Sequence, residues 1–376
     1  MKPGDNDDEA AGKLLAETAE ESRRKGRFGG EPLVWLQLLA AFLIPLLFMF
    51  AAVPTGFLRE GPGPAFDLQE ELEVEGAETY PSDGELLLSS VRLEESRLFY
   101  HVAALFDDDF ELAQVKDYLG EDLDVEEREV IDELDTRLSQ DTATVVALEE
   151  TEVPVEVEEL GAMVVAVLEG YPADGVLDPG DIIVAVDGEP VANVMDAQDK
   201  LESSSPGQTV TLLVRSVGEE ILDEEETEAV SLGSLATEEH EVELQTKWEP
   251  ELDKAVIGVG FRDFFDYSSK VEVDWDLGSV KGPSAGMMMA LSLVNALIPE
   301  DITGGRKVAG TGEIFIDGEV GPIGGLPMKI EAAESAGVEV FLYPLDNQED
   351  LAGVSTSMEL FAVWDLQQAL DILNGL

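Results

Sequence analysis

Between Leu33 and Val53 the chain runs LVWLQLLAAFLIPLLFMFAAV, 21 residues without a charge. A helix of that length covers the roughly 30 Å of a bilayer's hydrocarbon core. A buried helix of a soluble core seldom avoids charge for so long, and a cleaved secretory signal has a shorter apolar centre. Ala51-Ala52-Val53 is a poor cleavage site; cleavage there would instead leave a secreted protein. Trp35 stands at one end of the run, where interfacial tryptophan is common. Lys2, Lys13, Arg23, Arg24, Lys25 and Arg27 precede it, and only Arg59 follows within the next 30 residues. Basic residues favour the cytoplasmic side. The sequence therefore predicts a cytoplasmic basic tail (1–32), a single transmembrane anchor (33–54) and an extracytoplasmic bulk at the cell membrane.

The 376 residues carry 82 Asp+Glu against 22 Lys+Arg, a formal charge of −60. That excludes nucleic acid as a partner, because phosphate contacts need a basic surface. Runs such as Asp107-Asp108-Asp109 and Glu224-Glu225-Glu226 read as solvated, self-repelling surface, which a high-salt habitat would screen. No stretch has the spacing of a calcium loop. With no Cys and two His (His101 and His240), thiolate sites, multi-His metal centres and His-based triads are out of reach. No metal and no cofactor is expected. Hydrolytic chemistry would have to come from Ser, Thr, Lys and carboxylates.

After the apolar run, Gly61-Pro62-Gly63-Pro64 reads as a stiff, non-regular exit. GELLLSSVRL (84–93) reads as a strand, and acids mixed with Leu and Val over 110–139 suggest acidic amphipathic helices. MVVAVLEGYPADGVLDPGDIIVAVDGEPV (163–191) gives strand, turn, strand, with a hairpin signal at Asp187-Gly188. A short helix (196–205) and a strand (208–217) follow. HEVELQTKW (240–248) alternates and can close the same sheet after an acidic insertion near 219–239.

GYPADGVLDPGDIIVAVDG (170–188) resembles a bacterial PDZ domain, with several turn positions agreeing at once over 161–217. The resemblance implies a β-rich module, here 155–248 with its insertion. It also implies that the loop Leu160-Gly161-Ala162-Met163 offers backbone N–H groups to a peptide's terminal carboxylate, the peptide adding as a strand beside Val164–Val167. A module that only packs against its neighbours is the other reading.

Farther on, VEVDWDLGSV (271–280) reads as a strand, and Lys281-Gly282-Pro283 as a turn. Ser284-Ala285-Gly286 then opens an apolar run (287–298) long enough for a buried helix. A serine there is ordinarily an N-cap. The same place, with unpaired N–H groups and a positive dipole end, also suits an oxyanion. KVAGTGEIFIDGEVGPIGGLPMKIEAAESAG (307–337) reads as strand, Asp-Gly hairpin, strand, Gly-rich turn and a helix carrying Lys329. Helix lysines are ordinarily solvated. One buried in apolar surroundings holds its proton less tightly and can serve as a general base.

GPSAG (282–286), TGGRKVAGTGEI (303–314) and GPIGGLPMKIEAA (321–333) together resemble the proteolytic domain of the Lon family, peptidases with a Ser–Lys dyad. The likeness continues through AGVEVFLYP (336–344). The order of apolar span, PDZ module and Ser–Lys domain is similar to that of membrane-anchored, PDZ-containing Lon-like proteases of bacteria. The resemblance implies an α/β Lon-type proteolytic domain over 250–376, with 60–150 as its early part if the PDZ module is an insertion. It implies Ser284 as nucleophile, Lys329 as general base, Thr311 as a hydroxyl holding the lysine, and the backbone of Ser284 and Ala285 as the oxyanion hole. Lys281, where Asp or Gly is more usual, would put a second basic side chain beside the nucleophile. No G-x-x-x-x-G-K-[ST] occurs, so the ATPase of full-length Lon enzymes is not in this sequence. An ATP-independent serine endopeptidase is expected, with protein or peptide substrates, lipid contact through one helix, and a homo-oligomer, since Lon-type domains commonly form rings. The competing reading is a membrane-tethered PDZ adaptor with an inactive protease domain.

Overall fold

The computed structural model describes residues 32–51, 53–97, 111–114, 125–217, 236–250, 254–278 and 280–376. They fall into two compact units, 1–59 with 95–112 and 60–94 with 113–376. In the smaller unit Pro32–Ala51 forms helix α1, 20 residues with Pro45 inside it and Trp35, Phe42, Ile44 and Met49 exposed. Taken alone, the described residues include no helix long and apolar enough to cross a membrane. The basic tail to residue 31 and most of the acidic insertion lie outside the described residues.

The strands begin with β1 (Pro54–Asp67), β2 (Leu72–Glu75), β3 (Glu85–Arg97), β4 (Glu111–Gln114), β5 (Val155–Val167) and β6 (Asp181–Val186). They continue with β7 (Glu189–Pro190), β8 (Thr209–Val217), β9 (Ala236–Gln245), β10 (Lys247–Glu249), β11 (Lys254–Val256) and β12 (Val259–Ser269). The last are β13 (Glu272–Trp275), β14 (Lys307–Gly310), β15 (Glu313–Ile314), β16 (Val320–Gly321), β17 (Val340–Pro344) and β18 (Glu359–Val363). The remaining helices are α2 (Val125–Glu150), α3 (Val194–Glu202), α4 (Gly286–Leu297), α5 (Leu326–Ser335) and α6 (Leu366–Asn374).

One sheet has the order β18-β17-β14-β3-β1-β4, with β3, β14, β17 and β18 parallel. Side chains alternate across a strand, and a parallel sheet is covered on both faces, so its strands are apolar on both sides. Leu86, Leu88, Val308, Val340 and Leu342 pack on one face with α4 and α6. Leu87, Ala309, Phe341 and Tyr343 pack on the other with α5. Helix α4 is buried continuously from Gly286 to Asn295, the position expected of a helix that is apolar all round.

A second sheet, β12-β5-β6-β8-β9 with β7 on β6, is covered by α3 through Ala197 and Leu201. Its β6–β7 hairpin turns at Asp187 (φ 51°) and Gly188 (φ 78°), the two positive φ values that such a tight turn requires. In sequence this sheet falls between β3 and β14, which are hydrogen-bonded neighbours in the first, so it is an insertion into the larger α/β fold. Helix α2 joins the two layers. Leu134 and Leu138 pack against Met163, Ile182 and Phe264, while Ala143, Val146 and Ala147 enter the core around α4.

Some local expectations are corrected. Gly61–Pro64 is not an irregular exit but lies inside β1, where a Cβ on Gly63 would stand 2.4 Å from Ser90 Oγ. Of 110–139, Glu111–Gln114 is a strand, and the helix runs on to Glu150. Of 271–280 only Glu272–Trp275 is strand, paired with β2, and the chain leaves it through Gly278 at φ 57°. Strand β12, beyond the expected boundary near 250, pairs with β5 along its whole length.

Candidate active site

Strand β14 ends at Gly310, where a Cβ would meet Met288 Sδ at 2.7 Å and the Leu342 carbonyl at 2.8 Å. Only glycine lets α4 come this close to the carboxyl end of the parallel strands. The incoming chain turns at Gly282 (φ 99°), and Pro283 opens a 3-10 turn, Pro283–Ala285, that feeds into α4. The N-cap position of α4 is Ala285, with no side-chain capping bond. The Ser284 hydroxyl is therefore not spent on a cap, against the ordinary expectation for a serine there. Pro283 has no N–H, so the Ser284 amide is the first donor of the turn, followed by that of buried Ala285.

On the other side, Gly325 (φ 70°) is the N-cap of α5, and a Cβ there would lie 2.8 Å from Val91 Cγ2. Pro327 follows in the first turn, and Lys329 donates its backbone N–H to the Gly325 carbonyl at 3.1 Å. The side chain points inward, and Lys329 is only 4% exposed. Its Nζ lies 2.6 Å from Ser284 Oγ and 3.0 Å from Thr311 Oγ1. The Thr311 hydroxyl donates to the Ser284 carbonyl at 3.0 Å, and the Gly312 N–H reaches the same carbonyl at 2.9 Å. Burial pulls the Lys329 amine down from 10.5 to about 8. Ser284 is half-buried, so a hydroxyl within reach of solvent touches a lysine that is not.

Helix α2, whose acidic sequence carried no motif, holds the serine's turn from behind. Thr136 Oγ1 accepts the Gly282 N–H at 2.7 Å, and Ser139 Oγ donates to the Pro283 carbonyl at 3.2 Å. Lys281 Nζ pairs with Glu133 Oε2 of α2 at 3.2 Å. Nearby, Arg262 of β12 reaches two carboxylates: its Nε lies 2.5 Å from Asp135 Oδ1, and its Nη2 pairs with Glu313 of β15. Burial pushes the Glu313 carboxyl above its usual range, and Arg262 opposes that rise. Thr136, Ser139, Asp135 and Arg262 were missed from sequence. The only signal was a few hydroxyl residues among the acids of α2.

Leu160-Gly161-Ala162-Met163 is not a carboxylate-binding loop. The four residues lie inside β5, paired with β12 on one side (Gly161 with Phe264, Ala162 with Asp263), and Ala162 and Met163 also pair with β6 on the other. Val164–Val167 is paired with β12 as well, so on that side the place of an added peptide strand is taken. Ala162 and Met163 are fully buried. The strand that ends this sheet is β12, and among the described residues no strand covers its outer edge. That edge adjoins α3, whose Val194 N–H donates to Asp263 Oδ1 at 2.7 Å.

Residues 261–373 match the Lon protease (S16) C-terminal proteolytic domain, and residues 163–216 match the PDZ domain. The chain carries a Lon-type proteolytic domain with an inserted PDZ domain. Among curated relatives, Lon protease 1 of Sorangium cellulosum is 43% identical over 93 residues, 24% of this chain and 11% of that protein. Lon protease 2 of Bacillus subtilis is 40% identical over 94 residues, 24% of this chain and 16% of that one. Lon protease of Vibrio parahaemolyticus is 35% identical over 159 residues, 40% of this chain and 20% of that one. Lon-type similarity thus spans a fifth or less of each of these relatives. Among solved structures, the PDZ domain of an SdrC-like protein from Listeria monocytogenes is 19% identical, covering 27% of this chain and 87% of its own, at a TM-score of 0.21.

Proposed function

We propose that this protein is an ATP-independent serine endopeptidase in which Ser284 is the nucleophile and Lys329 the general base. One observation carries the reading: a buried lysine Nζ, 2.6 Å from a half-buried serine Oγ and held by a second hydroxyl. Neutral Lys329 accepts the Ser284 proton as Oγ attacks the scissile carbonyl carbon. Negative charge develops on the carbonyl oxygen beside the Ser284 and Ala285 amides and the positive end of α4. The lysine ammonium then gives its proton to the departing amine nitrogen, leaving an acyl ester on Ser284. Water, deprotonated by Lys329, hydrolyses that ester and regenerates the serine. Thr311 accepts one Nζ hydrogen and so keeps the lysine lone pair directed at Ser284.

Protein or peptide chains are the substrates, and the PDZ domain receives an extended segment at the open edge of β12, through main-chain hydrogen bonds. Leu33–Val53 crosses the membrane once with residues 1–32 in the cytoplasm, a placement supported by its uncharged sequence and the basic residues before it. The catalytic domain then lies outside the cytoplasm, and Lon-type domains assemble into a homo-oligomer. Cleavage of an unfolded protein by the purified chain, without nucleotide, tests the chemistry: it should vanish in folded Ser284→Ala, and its persistence there would end the reading. Protease added to intact cells should digest the region after residue 60, and complete protection would reverse the topology.

A further inference from the structure

We propose that Arg262 is a positioning residue for the Ser284–Lys329 pair. The proposal rests on the peptidase reading above and adds to it a part supplied by the PDZ sheet. The site has two supports. Thr311 and Gly312 hold the Ser284 carbonyl from one side, and Thr136 and Ser139 of α2 hold Gly282 and Pro283 from the other. Glu313 follows Gly312 directly, and Asp135 precedes Thr136. The guanidinium of Arg262 spans those two carboxylates, so one side chain sets the spacing between the supports.

Arg262 meets Asp135 through Nε as an ion pair without hydrogen-bond geometry, and Glu313 through Nη2. Two separate points of one planar group thus touch the two carboxylates, which a single ammonium does not offer. Arg262 is 8% exposed and each carboxylate 16%, so the cluster is poorly screened by solvent. Without the arginine, Asp135 and Glu313 repel each other, and the segment from Thr311 to Glu313 moves away from α2. Arg262 also stands on β12, paired in register with Met163 of β5. The PDZ sheet is therefore part of the platform that aligns the proteolytic site, besides being a place for peptides.

The test uses the full chain carrying Arg262→Met, Asp135→Asn and Glu313→Gln together, which removes the arginine along with the charge of both carboxylates it bridges. Thermal unfolding establishes that the variant is folded. For a short unstructured peptide, kcat should fall on the order of tenfold to a hundredfold, as small misplacements do, with KM nearly unchanged. The Lys329 Nζ titration, followed by NMR, should move up toward the ordinary lysine range as the pocket loosens. Arg262→Lys, which keeps the charge but not the planar group, should recover part of kcat. An unchanged kcat or an unchanged Lys329 midpoint in the folded triple variant overturns the proposal. Failure of the underlying peptidase reading shows separately, as turnover that survives Ser284→Ala, and the lysine titration does not depend on turnover.

Discussion

Lys329 and Arg262 are both buried cations, and they stand at opposite ends of one short segment, Thr311 to Glu313. Lys329 touches two hydroxyls, Ser284 and Thr311. Arg262 touches two carboxylates, Asp135 and Glu313. A desolvated amine with only hydroxyl partners gives up its proton readily, and burial takes Lys329 to about 8. A guanidinium keeps its proton at any accessible pH, and carboxylate partners offset its desolvation. On the proposed reading, the same degree of burial makes a base in one region and a strut in the other. What decides between them is the charge of the neighbours.

The largest expected effect breaks the first half of that comparison. Lys329→Met should lower turnover about a thousandfold, with circular dichroism showing a native fold. Lys329→Arg should be nearly as damaging, because a guanidinium cannot accept the serine proton. The stability change has a definite sign. The folded amine titrates near 8 and the unfolded one near 10.5, so the lysine costs stability below about pH 8, and that cost fades as pH rises toward 10.5. Denaturation at neutral pH should therefore find Lys329→Met no less stable than wild type.

Next in size is the strut. Arg262→Met alone leaves two partly buried carboxylates facing each other and should cost at most about 3–5 kcal/mol in chemical denaturation. The loss should shrink in acid, where the carboxylates protonate; a loss independent of pH would contradict the ion-pair account. Thr311→Val keeps the shape but removes one lysine contact and one bond to the Ser284 carbonyl. It should cost about 1–2 kcal/mol and reduce kcat more than tenfold, while KM holds. The smallest effect belongs to the PDZ domain, where Asn193 caps α3 by accepting the Asp196 N–H at 2.9 Å. Asn193→Ala should cost about 1 kcal/mol and leave kcat alone.

Chemistry set by neighbouring residues was legible in the sequence, and long-range contacts were legible only where a family resemblance marked both partners. GELLLSSVRL (84–93) reads as a strand, and Asp187-Gly188 as a hairpin signal, because neighbouring residues decide each. The pairing of Ser284 and Lys329, 45 positions apart, is implied only by the resemblance of GPSAG and GPIGGLPMKIEAA to the Lon proteolytic domain; composition and spacing alone leave the serine as a cap and the lysine as surface. Nothing comparable marks Ser139, which lies 144 positions from the carbonyl it bonds, on a helix that looks merely acidic. Arg262 is equally silent, since its partners come from two other elements. The Leu160–Met163 segment misled for a different reason. The loop is implied by the PDZ resemblance, but the same residues fit a strand paired on both sides. Gly161 is required there because a Cβ would stand 2.8 Å from the Ile183 carbonyl.

The central claim is that Lys329 acts as a neutral base toward Ser284, and the pH dependence of Ser284 acylation tests it most directly. Rapid-mixing rates with an activated ester, under single-turnover conditions, should rise with pH through a single ionisation near 8 in the wild type. The same measurement on folded Lys329→Met should show no such ionisation and only a residual rate. A wild-type rate that stays flat through pH 8, or a Lys329→Met variant that keeps the wild-type profile, would contradict the account.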